Sequence, residues 1–190
     1  MKKWSASFRI WHWVNALVVM GLLGTIFLRE TFLNVGENAQ IIVDQLAKIG
    51  VMLSNEQAKI VAKSIFAPMW DWHIYLGYVF AALVLYRIAL FFTPSGKQSF
   101  HFKELDLHHK AVSAGYIVIY AALFFMALSG LIINFYQELG LLKETAHDIK
   151  ELHEAVYNVI LIFVPLHVAG VVVADIRDEK GIVSKMINGN

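Results

Sequence analysis

Four long apolar stretches, separated by polar segments, dominate the pattern of residues along the chain. They cover residues 10–28, 72–92, 111–136 and 155–174. A helix that crosses a membrane needs about 20 mostly apolar residues, and each stretch has about that length. The pattern therefore predicts an all-α fold, an integral membrane four-helix bundle that forms a single membrane domain over residues 1–190.

The polar segment between the first two stretches, residues 30–68, is long enough to hold structure of its own. Its part SNEQAKIVAKSIF, residues 54–66, has the pattern of a short amphipathic helix. Ser54 would be its N-cap, and Gln57 stands at the capping-box position. A solvated helical loop is the alternative. Pro165 lies inside the fourth stretch and is expected to weaken or kink that helix.

Composition supports the membrane assignment and limits the kinds of cofactor that the chain could bind. The chain is 58% hydrophobic, has a mean hydropathy of +0.58 and carries 16% charged residues, whereas soluble domains carry about 25%. A net charge of +1 argues against a nucleic-acid partner. The chain has no cysteine, which excludes disulfides, thiolate-bound iron–sulfur clusters and covalent haem attachment through C-x-x-C-H. Any cofactor must therefore be held by histidine or carboxylate side chains, or by the fit of its shape to a pocket.

The basic residues predict the orientation. They cluster at the N-terminus, between the second and third stretches, and in the tail: Lys2, Lys3, Arg9; Lys97, Lys103, Lys110; Arg177, Lys180, Lys185. The positive-inside rule then places both termini in the cytoplasm. The first stretch has no cleavage site of the A-x-A type after it, so we interpret it as an uncleaved span. The expected protein crosses the membrane several times.

Histidines near the ends of the spans are the candidate ligands. His153 and His167 are fourteen residues apart on the fourth span. At about 100° and 1.5 Å per residue they share one helix face and lie about 21 Å apart along the axis. The first span begins inside, so His12 lies at the inner depth, and the second begins outside, so His73 lies at the outer depth. The expected pairs are His12 with His167 and His73 with His153.

Two such pairs facing across a bundle suit two six-coordinate haems, because haem leaves two axial positions that imidazole occupies well. Bundle cofactors are commonly held by side chains on facing helices. One alternative is that the four histidines are polar residues with hydrogen-bond partners and serve to hold the helices together. A more distant alternative is a divalent-metal transporter with histidine ligands, although the interiors of the spans contain no acidic residue.

Two further polar residues are candidates near the inner depth. Arg87 follows His73 by fourteen residues and shares its face. It could pair with a haem propionate or extend to the cytoplasmic surface. His108, just before the third span, is a candidate for a propionate or a quinone. The other histidines are interpreted as exposed loop residues: His101, His109 and His147.

With these residues in place, the chain resembles the b-type cytochrome subunit of membrane nickel–iron hydrogenases, within the bacterial cytochrome b561 group. The first span carries RIWHW (residues 9–13), and the third carries GYIVIYAALFFMALSGL (residues 115–131). The tail, DIRDEKGIVSKMINGN (residues 175–190), resembles the hydrogenase type most specifically. The spacings of His73 to Arg87 and of His153 to His167 also match the family.

The resemblance implies two non-covalent haem b groups with bis-histidine ligation. The metal ligands would be four residues: His12, His73, His153 and His167. Arg87 and His108 match polar positions near the haems. The implied function is electron transfer across the bacterial inner membrane from a periplasmic donor, such as a hydrogenase small subunit, to quinone, with the quinone-reducing site on this subunit. A second copy of the chain is a further candidate partner.

Two other functions stay open at this point. A related oxidoreductase of the cytochrome b561 type would exchange electrons between quinone and superoxide, or another periplasmic donor such as a cytochrome c. A purely structural membrane anchor would leave the depth-matched histidines unexplained.

Overall fold

The computed structural model of the chain describes residues 4–93, 107–177 and 180–189, except for the side chains of residues 107–109 and 111. Within these ranges the regular elements are all α-helices, and no strand occurs. They are α1 (Ala6–Glu30), α2 (Val35–Ala47), α3 (Asn55–Phe91), α4 (Leu107–Asn134), α5 (Lys143–Arg177) and α6 (Ile182–Asn188). The predicted all-α fold class is confirmed.

Four of these helices, α1, α3, α4 and α5, are long and apolar enough to cross a membrane. Many of their large apolar side chains point away from the protein; Leu17 is 74% exposed and Leu166 is 65% exposed. In water such surfaces would be costly, whereas lipid tails solvate them. The helices therefore fit a membrane four-helix bundle.

Contacts divide the chain into two compact units, Leu17–Gly77 and Met1–Ala16 together with Tyr78–Asn190. In the first unit, α2 packs against the beginning of α3 through three alanines that are at most 3% exposed: Ala39, Ala58 and Ala62. Their small side chains let the two helices approach closely. In the second unit, α4 packs along α5, and α5 contacts α6. The assignment of residues 1–190 to a single membrane domain stays a prediction.

The beginning of α3 shows the predicted capping box. The Ser54 backbone N–H donates to Gln57 Oε1 at 2.9 Å, and the Gln57 N–H donates to Ser54 Oγ at 3.3 Å. The helix does not end after this segment, however, but continues through Pro68 to Phe91. A proline removes one backbone hydrogen bond, and the apolar turns that follow continue the helix beyond it. Pro165 likewise lies inside the continuous helix α5.

The helix α2 was not predicted. Its N-terminus is capped by Asn34, whose side-chain oxygen accepts hydrogen bonds from the backbone N–H groups of Gly36 and Glu37 at 2.9 and 3.2 Å. Asparagine at the N-cap satisfies donors that have no partner in the first turn. The segment between the first two spans is therefore more helical than its mixed sequence indicates.

The short helix α6 is held at its C-terminal end by α1. The Arg9 guanidinium donates to the Ile187 carbonyl at 2.8 Å, and the Trp13 indole N–H donates to the Met186 carbonyl at 3.2 Å. These are among the last carbonyls of α6, which lack partners within the helix. Gly189 follows with φ of +85°, and a Cβ there would lie 2.8 Å from the guanidinium carbon of Arg9. Arg9 therefore caps the tail helix as well as marking the basic flank.

Candidate functional site

The two inner histidines come together as predicted from their depth. His12 lies on α1 and His167 on α5, and their ring centroids are 6.1 Å apart with an interplanar angle of 62°. Each ring is supported by an aromatic neighbour on its own helix. Phe163 stacks on His167 at 5.4 Å and 11°, and Trp13 meets His12 edge-on at 5.4 Å. The sequence spacing and the three-dimensional placement agree for this pair.

The separation of these rings suits one metal between them. Imidazole nitrogens bind metals at about 2.0 Å, and the centre of the ring lies roughly 1.1 Å beyond the nitrogen. Two imidazoles on opposite sides of one metal would therefore have centroids about 6.2 Å apart, close to the 6.1 Å between His12 and His167. In the part of the chain that the structure describes, no group of three or more His, Cys, Asp or Glu could hold a metal ion. A two-ligand site suits haem, whose porphyrin nitrogens supply the other four ligands.

The outer histidines each have a hydroxyl partner. His73 Nδ1 lies 2.7 Å from Thr25 Oγ1, a contact within the unit Leu17–Gly77. His153 Nδ1 lies 2.7 Å from Ser129 Oγ, a contact of α5 with α4. The predicted pairing of His73 with His153 across the two units stays a prediction.

A glycine lies beside His153, and an aromatic ring lies beside His73. A Cβ added to Gly130 would lie 3.5 Å from His153 Cε1, so the α4 backbone passes directly beside this ring. Ser129, the preceding residue, is only 2% exposed. On α3, the ring of Trp70 meets His73 edge-on at 5.3 Å between centroids. Both outer rings are therefore fixed by neighbours inside the protein.

Arg87 lies in a cage of aromatic rings. Its guanidinium carbon is 5.1 Å from the Phe8 ring centroid, 5.4 Å from that of Trp11 and 5.0 Å from that of Tyr120. The Tyr120 hydroxyl accepts from Nε at 3.3 Å and from Nη2 at 3.2 Å. Such contacts stabilise a desolvated cation, and Arg87 is only 7% exposed. The interior position does not favour the alternative in which this side chain extends to the surface.

One edge of the Arg87 guanidinium still lacks an acceptor. Nη1 is buried and has no hydrogen-bond partner among the described residues. A buried cation with an unsatisfied donor is costly, and a carboxylate satisfies such a donor strongly. The orphaned Nη1 therefore fits an anionic group such as a haem propionate, which supports the predicted role of Arg87.

The remaining predicted residue, His108, lies in the first turn of α4, but its side chain is outside the described part of the structure. His101 is outside the described residues altogether. His147 lies on α5 with its side chain 63% exposed and 3.5 Å from Glu151. It is exposed as predicted, although it belongs to a helix rather than to a loop.

Sequence reasoning missed the residues that support the site. Thr25 and Ser129 are hydroxyl residues within long apolar segments, where a hydroxyl usually bonds to the carbonyl one turn earlier. Nothing in that pattern indicates a histidine as the second partner. The aromatic cage was missed because Phe8, Trp11 and Tyr120 read as membrane-interface or packing residues. Only the packing of α1, α3 and α4 brings them around one arginine.

Comparison with known proteins identifies the family. The model of the family described as prokaryotic cytochrome b561 matches residues 3–189, nearly the whole chain. No significant match was found among curated proteins or among solved structures. The family match agrees with the four apolar helices and with the facing imidazoles of His12 and His167. This chain therefore belongs to the prokaryotic cytochrome b561 family, as a membrane-spanning b-type cytochrome that binds haem b and transfers electrons.

Proposed function

We propose that this protein carries two haem b groups and transfers electrons across the bacterial inner membrane from a periplasmic donor to quinone. The observation that carries the proposal is the His12–His167 pair, whose 6.1 Å separation suits axial ligation of one haem. His73 and His153 would be the axial ligands of the second haem, at the opposite depth. When bound, the haems supply one-electron carriers between the donor and quinone.

Residues near the inner site would hold the haem and compensate its negative charge. His12 and His167 hold the inner site between α1 and α5, with aromatic rings against both imidazoles. Arg87 offers a cation and an unsatisfied donor to a propionate, which would neutralise part of the negative charge of the cofactor. Burial together with hydrogen bonding tunes haem potentials.

The orientation follows from the basic flanks of the spans, with both termini in the cytoplasm. The segment of residues 30–68 would then face the periplasm. It includes α2 and the polar beginning of α3, and it would meet the donor. The proposed donor is a nickel–iron hydrogenase, because the tail from Asp175 resembles the hydrogenase type of cytochrome.

Quinone would be reduced near the cytoplasmic side, where two protons from inside accompany the two electrons that convert quinone to quinol. Arg87 and His108 are the polar residues proposed near this site. A related function, with superoxide or a cytochrome c as the partner of quinone, uses the same ligands. No observation on the described residues favours it over the hydrogenase donor.

A donor comparison tests the proposal. The purified protein is placed in vesicles that contain a quinone, with the predicted periplasmic face outside. Hydrogen with a nickel–iron hydrogenase, reduced cytochrome c, and superoxide are each added outside, and quinol formation and reduction of the b-type absorption band are followed. We expect hydrogen with hydrogenase to reduce the band and form quinol, and His153→Ala to abolish quinol formation.

Two results would count against the proposal. Reduction by superoxide or cytochrome c, with none by hydrogen and hydrogenase, would replace the donor but keep the dihaem path. Full quinol formation by His153→Ala would remove the outer haem from that path. The variant His147→Ala is the matched control, because it replaces an exposed histidine of the same helix, and it should behave as the wild type.

A further inference from the structure

The two outer histidines share a hydrogen-bond arrangement. Thr25 Oγ1 lies 2.6 Å from the Leu22 carbonyl and 2.7 Å from His73 Nδ1. Ser129 Oγ lies 2.7 Å from the Phe125 carbonyl and 2.7 Å from His153 Nδ1. Each hydroxyl therefore bridges a backbone carbonyl of its own helix and one ring nitrogen of a histidine on another helix.

Counting hydrogens assigns the direction of these bonds. A hydroxyl has one hydrogen to donate, while a carbonyl oxygen can only accept. The hydrogen of each hydroxyl must therefore go to the carbonyl, and the oxygen must accept from the histidine. Each outer ring then carries its proton on Nδ1. Its Nε2 is the nitrogen with the lone pair, which is the form that binds a metal.

The inner ligands lack this arrangement. Among the described residues, no hydroxyl hydrogen-bonds to His12 or His167, and both rings lie against aromatic rings. The hydroxyl arrangement is therefore confined to the two histidines predicted at one depth. Each of the two contacts lies within one compact unit of the chain.

We propose that Thr25 and Ser129 are positioning residues that fix the Nδ1–H tautomer of His73 and His153 and thereby prepare Nε2 of both rings for one haem. This inference rests on the proposed function for the identity of the bound group. A partner that accepts the other N–H of a metal-bound imidazole also raises the basicity of the ligand. A more basic ligand stabilises ferric over ferrous iron, so the two hydroxyls lower the potential of the outer haem.

A lower potential of the outer haem favours one direction of electron transfer between the two haems. Electrons move spontaneously from lower to higher potential. Lowering the potential of the outer haem alone therefore favours transfer from the outer haem to the inner haem. The hydroxyls of Thr25 and Ser129 thus assist electron flow from the periplasmic side toward quinone.

The test compares variants that remove each hydroxyl with variants that keep it. Thr25→Val preserves the shape of the side chain, and Ser129→Ala removes the hydroxyl with the smallest change in volume; Thr25→Ser and Ser129→Thr retain the hydroxyl. Spectroelectrochemical titration of the purified holoprotein should resolve two midpoints. In Thr25→Val and in Ser129→Ala we expect one midpoint to shift to a more positive potential and the other to stay, with both wild-type midpoints in Thr25→Ser. Unchanged midpoints, or equal shifts of both, would overturn the proposal.

A second measurement needs no haem. Protein made in haem-deficient cells and labelled with nitrogen-15 at histidine reports the ring tautomers by NMR. His73 and His153 should show the Nδ1–H form, and Ser129→Ala should lose that form at His153 only. A wild type with Nε2–H at both rings would contradict the tautomer assignment. Protein that lacks haem altogether when it is purified from haem-replete cells would contradict the proposed function, while the NMR result would still decide the role of the hydroxyls.

Discussion

Replacing His167 with alanine is expected to remove one of two haems and leave the other. The imidazole of His167 faces that of His12 at 6.1 Å, and a haem held between them would lose one of its two axial ligands. Haem per chain, measured as the pyridine haemochrome, should fall from about two to about one. The remaining haem should keep its midpoint potential, because its proposed ligands are His73 and His153.

The same experiment also tests the pairing. His12→Ala should lose the same haem as His167→Ala, and the double variant should lose no more than either single one, because both remove one site. His147→Ala, which replaces an exposed histidine on α5, should keep both haems. Two haems with unchanged spectra and midpoints in His167→Ala would show that these rings do not hold a haem together.

Replacing Arg87 with leucine is expected to loosen the inner haem without destabilising the haem-free protein. Arg87 is 7% exposed, and its Nη1 has no partner among the described residues. In the haem-free protein it is a buried charge with incomplete compensation, and replacing such a charge by an apolar group is often neutral or stabilising. With a propionate at Nη1, the same change removes a charged hydrogen bond of about 1.5–3 kcal/mol, equivalent to roughly ten- to 150-fold in affinity.

The measurement for Arg87→Leu is the rate at which haem leaves for an excess of an apoprotein acceptor. We expect faster loss of one haem by roughly ten- to 150-fold, and an unfolding temperature of the haem-free protein that is unchanged or raised. Tyr120→Phe removes the hydroxyl that accepts from Nε and Nη2 but keeps the ring and the cation, so it should give a smaller effect.

Other outcomes for Arg87→Leu would assign the arginine differently. Loss of quinone reduction with both haems firmly bound would place Arg87 at the quinone site instead. Haem retention and quinone reduction equal to those of the wild type would leave it as a packing residue of the aromatic cage.

Local signals in the sequence predicted much of the fold. The apolar stretches determine the four long helices. In lipid a single segment can satisfy its own backbone hydrogen bonds only as a helix. The Ser54–Gln57 capping box was also predictable, since it depends on residues three positions apart. The end of this helix at residue 66 was predicted wrongly, because local sequence does not show that packing continues the helix through Pro68 into the second apolar stretch.

The candidate site was predictable only in part. Helical geometry and the predicted direction of the spans placed His12 and His167 at one depth, and the structure brings them together. The hydroxyls of Thr25 and Ser129 were not predictable, because the rotation of one helix about its axis relative to the next decides which side chains meet. The same holds for Arg87, whose aromatic cage draws on three helices.

Low-temperature electron paramagnetic resonance of the oxidised, purified protein tests the central claim most directly, because the signal reports the axial ligands of each ferric haem. Four histidines that hold two haems predict two low-spin signals of the bis-imidazole type, with a combined intensity of about two spins per chain. A high-spin signal, or a single low-spin signal at one spin per chain, would contradict the arrangement of His12 with His167 and His73 with His153.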